Sequence, residues 1–302
     1  MQSSNSNSIS AKKLLLDEFQ LELASDSNDW NSTNALRTSL KSLKRPEVFE
    51  LLAETLEVEG FYDSNSYWSC IYDLQYRPEP ETFEACRSWT TSQQSKLRRA
   101  ACGILGELGT QENLPFKASS EPLLERLLAD ADTQVIAAVL FAMGKLQIGN
   151  LELILPLAKH PEPDVRHAVA FALLSRCEPL ANRMLIELST DLETKVRDWA
   201  TFGLGSEDRD DLPEIREALA ARLGDEDSDT RGEAIIGLAQ RKDPRVVAAI
   251  QKELGSDSVG TLTLQAIVEM PNKTFIESLE KWLISNQGDE EFLSALKACN
   301  SI

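Results

Sequence analysis

Pro163-Asp164-Val165-Arg166-His167-Ala168-Val169-Ala170-Phe171-Ala172-Leu173 is the stretch that decides the fold of this chain. Its apolar residues recur at helical spacing, behind a proline and an aspartate that suit a helix start. The same phrase returns as Thr194-Lys195-Val196-Arg197-Asp198-Trp199-Ala200-Thr201-Phe202-Gly203-Leu204-Gly205 and as Asp229-Thr230-Arg231-Gly232-Glu233-Ala234. An earlier copy reads Lys96-Leu97-Arg98-Arg99-Ala100. Aligned on the arginine, the steps are 38 residues from Arg98 to Ile136, 30 to Arg166, 31 to Arg197 and 34 to Arg231. A degenerate copy follows around Thr261. A phrase at such regular spacing marks a stacked repeat, in which each unit buries its apolar face against its neighbours.

Between the phrases lie second amphipathic stretches: Pro122 to Leu128, Leu151 to Ala158, Ala181 to Leu188, Pro213 to Leu223, Pro244 to Leu254 and Phe275 to Ile284. Ile215, Leu219 and Leu223 show the helical period. Pro122, Pro213 and Pro244 are expected at or near helix starts. Turns rich in Asp, such as Asp130-Ala131-Asp132 and Asp225 to Asp229, cap the next helix and keep the pair from fusing. No alternating β-branched run is long enough for a strand. The expectation is all-α, with a repeat region over 95–302 and a diverged helical cap over 1–94. Within the cap, helices are expected over 12–23, 33–43 and 46–56. Phe61 to Trp68, part of a region that also holds Trp30 and Trp89, is expected to be a loop.

There are 49 acidic and 31 basic residues, a net charge of −18. Residues 1–94 carry −7 and the remainder −11, so the acidity is spread along the chain. Such a chain is repelled by phosphate backbones and anionic lipid, which argues against nucleic-acid and membrane partners. No apolar run approaches the roughly 20 residues of a membrane span, and Leu14-Leu15-Leu16 is too short for a signal-peptide core. The five cysteines form no Cys-x-x-Cys pair. Reduced, mostly buried thiols in a cytoplasmic protein are expected.

The pattern Asp-x-x-Val-Arg-x-x-Ala-x-x-Ala/Gly-Leu, carried best by residues 163–173 and 194–205, resembles the HEAT-repeat superfamily. It is similar in particular to the short repeats of phycobilin lyases and many bacterial proteins, because units of 30–34 residues are shorter than the roughly 40–47 of ordinary HEAT units. The resemblance covers about residues 95–285. It implies a right-handed α-α superhelix whose second helices line the concave side. It further implies that the repeated arginines Arg98, Arg166, Arg197 and Arg231 staple unit to unit through aspartates, for which Asp132, Asp164, Asp191 and Asp229 are suitable. A ladder gripping a ligand carboxylate or phosphate is the competing reading.

Little in the sequence points to catalysis, and no cofactor is called for. His160 and His167, the only histidines, straddle a Pro-rich turn rather than sharing a helix face, and no His-Glu dipeptide of the kind used by HEAT-repeat metalloenzymes occurs. Asp225, Asp227 and Asp229 mimic the start of a calcium loop, but Thr230 and Ile236 stand where Gly and Glu are needed. Gly203-Leu204-Gly205 follows no strand and is no phosphate loop. The acidic stretch from Glu207 to Asp229 reads either as a solvated rim or as a dock for a basic partner.

The leading functional expectation is a non-catalytic scaffold or adaptor that holds a protein partner, a basic one by charge complementarity. The tentative contacts are Arg99, His167, Asp198, Trp199 and Glu233, beside the ladder. Trp199 stands out because aromatic anchors dominate many interfaces, against the alternative of burial between units. A bilin lyase or lyase subunit, implied by the resemblance alone, and an acidic inhibitor of a basic protein remain as alternatives.

Overall fold

A computed structural model describes residues 40–41, 43–56, 65–110, 112–205, 210–285 and 289–302. The helix expected over 12–23, most of that over 33–43, the aromatics Trp30, Phe61 and Tyr62, and the acids Glu207 and Asp208 lie outside the described residues. Among the described residues every regular element is helical, with one isolated β-bridge between Thr110 and Asn113. None of these helices is long and apolar enough to cross a membrane.

The chain divides into two compact units between Leu153 and Ile154. In the first unit, α1 (Arg45–Thr55), α2 (Asn65–Gln75) and α3 (Pro80–Trp89) precede α4 (Ser95–Glu107), α5 (Lys117–Leu127) and α6 (Thr133–Leu146). Both α2 and α3 pack on α4, so packing continues across position 94. The segment expected as a loop around Tyr67 and Trp68 is helical from Asn65, because Tyr67, Cys70, Ile71 and Leu74 supply a buried face at helical spacing. Tyr67 is buried against α4, whereas Trp68, Tyr72 and Tyr76 are exposed at i, i+4 and i+8.

The division falls in the short helix α7 (Leu151–Ile154), which gives way to a 3₁₀ turn over Leu155–Lys159. Pro156, lacking an N–H, accounts for the failure of one continuous helix over 151–158. The second unit continues with α8 (Pro163–Ala172), α9 (Pro179–Leu188), α10 (Thr194–Gly205), α11 (Pro213–Arg222), α12 (Ser228–Gln240), α13 (Val246–Leu254), α14 (Thr261–Glu269), α15 (Ile276–Ser285) and α16 (Glu290–Asn300). Pro213 is the first residue of α11 as expected, but Pro122 lies inside α5, which begins five residues earlier.

The helices that carry the phrase stack directly on one another: α8 on α10, α10 on α12, α12 on α14 and α14 on α16. Their buried residues are small or aliphatic: Val165, Ala168 and Val169 in α8, Val196, Ala200 and Leu204 in α10, Ala234, Ile235 and Leu238 in α12. The alternate helices pack across the phrase helices through Leu185, Leu188, Ile215 and Leu219 and touch one another little. At the α10–α12 crossing, Gly205 meets Gly237 so closely that a Cβ on Gly237 would lie 2.7 Å from the Gly205 Cα. There the Arg241 guanidinium donates to the carbonyls of Leu204, Gly205 and Gly237, satisfying the end of α10.

Candidate functional site

The ladder arginines are consumed by the fold. Arg166 donates Nε and Nη2 to the two carboxylate oxygens of Asp191, at 2.7 and 2.8 Å, while Nη1 reaches the carbonyls of His160 and Pro161 in its own turn. Arg197 repeats the pattern with Asp225 and the carbonyls of Asp191 and Leu192, and Arg98 with Asp130 and the carbonyls of Ser92 and Gln93. Arg231 keeps the two turn carbonyls but takes Glu253 as its carboxylate. In Arg98, Arg166 and Arg197 these bidentate, charge-assisted contacts use the whole guanidinium fork, whereas Arg231 meets Glu253 through Nε alone.

The partner sits two residues before the helix cap, not at the cap. Asp130, Asp191 and Asp225 each also accept the backbone N–H two residues on, from Asp132, Glu193 and Asp227. Asp132, expected on the ladder, instead caps α6 by accepting from the Gln134 N–H. Asp164 pairs with Lys195 of the next phrase helix, and Asp229 is an exposed residue in the first turn of α12. The arginine contacts hold Asp130 and Asp191 below the usual carboxylate range; Asp225 is also held low, by Arg197 and the Asp227 N–H against the opposing effect of burial.

Beside the ladder the second unit carries an aromatic and acidic face. Trp199 of α10 lies between His167 and Phe171 of α8, with ring centroids 5.5 and 5.4 Å away, and against Phe202 at 5.9 Å. Trp199 is half-buried by these rings, and Phe202 is 44% exposed. Phe171 and Phe202 were not singled out from the sequence. The available signal was that both follow a ladder arginine by five residues in successive units. Burial and the nearby Lys195 lower the pKa of His167, against the pull of Asp164.

Asp198 and Glu233 occupy the acidic edge of this face. Burial raises Asp198 to about 6, helped by Asp227 and Asp229, and Glu233 to about 7, helped by Asp198 and Asp229. Oδ1 of Asp198 is buried and accepts no hydrogen bond. Arg99, the other tentative contact, belongs to α4 in the first unit. His160 does not join His167; it accepts the Glu162 N–H within its own turn. Among the described residues no group of three His, Cys, Asp or Glu side chains is placed to hold a metal ion. Cys70, Cys86, Cys102 and Cys299 are buried and Cys177 is exposed. Of the acidic stretch, Asp211 pairs with Arg216, Glu217 with Arg245, Asp225 with Arg197, and Asp227 caps α12, so much of its charge is used internally.

The raised carboxylates set a pH dependence. Asp198 and Glu233 hold protons in the folded chain over a range where the unfolded chain has lost them, so stability falls as pH rises from about 4 to about 7. For half-buried, solvent-screened groups the pair accounts for about 1–2 kcal/mol. Urea unfolding should therefore give a lower midpoint at pH 8 than at pH 5. In Asp198→Asn/Glu233→Gln that decline should shrink to the part due to Asp73, which burial also raises, set against the small opposite trend expected of His167. A wild-type midpoint that rises from pH 5 to 8 would contradict the assignment. The ladder aspartates and Asp243, held at about 2 by Arg245, titrate only below this window.

A profile for HEAT repeats matches residues 120–205 and 181–271. Protein YibA of Escherichia coli (strain K12) is 33% identical over 133 residues, which span 44% of this chain and 47% of YibA, about half its length. The crystal structure of YibA superposes with a TM-score of 0.68 at 23% identity, covering 91% of this chain and 98% of that one. The Cnd3–Cnd2 condensin subcomplex of S. pombe matches at 0.56 and 14% identity, over 94% of this chain and 48% of its own. The CpcE–CpcF complex of phycocyanin lyase from Nostoc sp. PCC7120 reaches 0.45 at 17% identity, covering 83% of this chain and 93% of that one, too remote to bear on function. The likenesses to YibA and to the condensin subcomplex support the all-α solenoid fold.

Proposed function

Given that the chain belongs to the HEAT-repeat family, we propose that it is a non-catalytic scaffold holding a protein partner against the phrase-helix face of its second unit. The carrying observation is the contrast between two adjacent rows. The ladder arginines Arg166 and Arg197 are saturated by the chain's own carboxylates and carbonyls, whereas the next row offers Trp199 and Phe202 partly open, with Asp198 and Glu233 beside them. An aromatic anchor with a polar rim is the usual composition of a protein contact. The spread of acidic charge favours a partner of opposite sign.

Site-directed photo-crosslinking tests this reading. Benzoylphenylalanine at position 202, on the proposed face, should trap a discrete polypeptide in the native host. The same probe at position 180, exposed on the alternate helix α9, should not. Equal trapping from both positions, or none from 202, would remove the support for this face.

A further inference from the structure

We propose that Trp199, Phe202, Asp198 and Glu233 together form a subsite for a guanidinium group, presented by an arginine of the partner polypeptide. The inference rests on the scaffold reading and adds the chemistry of the anchor. Three rings, His167, Phe171 and Phe202, surround Trp199 at 5.4–5.9 Å and fix its plane, so its remaining surface is a rigid platform. An indole or phenyl face attracts a cation through its quadrupole. Aromatic rings alone would fit any apolar side chain; the carboxylates narrow the choice.

Charge complementarity identifies the occupant. At this level of the stack three acidic side chains have a basic group of the chain: Asp164 has Lys195, Asp191 has Arg166, and Asp225 has Arg197. Asp198 and Glu233 differ. No described basic residue forms an ion pair with either, and the carboxylates around them raise the cost of ionising each rather than relieving it. The charged groups that act on them are Asp227 and Asp229 at the start of α12, and Asp198 acts on Glu233; on the same face of α10, Lys195 is engaged by Asp164. The buried Oδ1 of Asp198 lacks a donor. A cation docked on the open side of the pair would relieve the repulsion. With no third ligand among the described residues, a metal ion suits the pair poorly. A guanidinium suits it well, since its plane stacks on a ring while its fork donates to two carboxylates; an ammonium does only the second.

The test is fluorescence anisotropy with a fluorescein-labelled peptide of alternating glycine and arginine, against the same peptide with citrulline, the neutral isostere. The arginine peptide should bind at least tenfold more tightly. Asp198→Asn/Glu233→Gln should weaken it at least tenfold, and Trp199→Phe several-fold. Glu280→Gln/Glu290→Gln removes the same formal charge from exposed positions elsewhere and should change affinity less than twofold. Binding should also tighten between pH 5.5 and 8, as the pair ionises.

Equal losses in the two double variants would mean that only the overall negative field is at work, which overturns the subsite. Indifference to citrulline would overturn it too, as would displacement of the peptide by calcium alone. If the subsite fails while crosslinking from position 202 still traps a partner, the scaffold reading stands and only its chemistry changes. If crosslinking fails as well, both fall.

Discussion

Replacing Arg197 with methionine should lower the unfolding free energy by about 3–5 kcal/mol, the range for removing one partner of a buried ion pair. The residue is only 6% exposed, and its side chain makes four hydrogen bonds at once, to Asp225 twice and to the carbonyls of Asp191 and Leu192. Methionine fills much of the space but leaves the buried Asp225 carboxylate with only Arg222 and the Asp227 N–H, and strands two carbonyls. Urea unfolding followed by circular dichroism measures the loss. Arg87→Met, which removes an exposed pair with Glu84, should cost less than about 1 kcal/mol. Arg197→Met/Asp225→Leu should recover part of the loss, because a pair replaced together leaves less unsatisfied charge. A loss below 1 kcal/mol for Arg197→Met would show that the staple is ornamental.

Gly237→Ala should destabilise by about 1–3 kcal/mol, although glycine to alanine inside a helix ordinarily stabilises by about 1 kcal/mol. The reversal of sign comes from the added Cβ, 2.7 Å from the Cα of Gly205 and 3.3 Å from a methyl of Leu219. A Cβ has no rotamer with which to escape, so α10 and α12 must separate. Gly224→Ala makes the comparison: nothing lies within 4 Å of its Cβ position, and it should be neutral or slightly stabilising. Thermal melts of both variants decide the matter; a raised melting temperature for Gly237→Ala would contradict the close crossing.

The phrase made the fold legible because its arginine and small residues record an inter-unit contact that every unit must repeat. What it could not convey is which of two nearby aspartates receives the arginine. Asp130 and Asp132 are both plausible on paper. The choice depends on a reach across 32 residues, and on the fact that Asp132 is already taken by the Gln134 N–H. The position of Pro122 misled for a related reason, since a proline at a helix start looks the same in sequence as one tolerated inside. At the candidate face, Trp199, His167, Asp198 and Glu233 were visible as departures from the phrase. Their grouping was not, because Phe171 and Phe202 read as ordinary helix apolars until the stack brings Trp199 between them. The region before residue 65 lacks the phrase and hence the means of alignment.

In the second unit each ladder aspartate serves two units at once. The carboxylate of Asp191 receives Arg166 from the unit before, and its carbonyl receives Arg197 from its own; Asp225 does the same for Arg197 and Arg231. The coupling is therefore written identically at these two junctions, like a thread of constant pitch. Excising residues 192–225 would bring Asp191 to the place Asp225 now holds, with Arg166 on its carboxylate and Arg231 on its carbonyl. Such a chain can gain or shed whole units without redesigning any junction, while the rows beside the ladder, which change from unit to unit, decide what each added length is for.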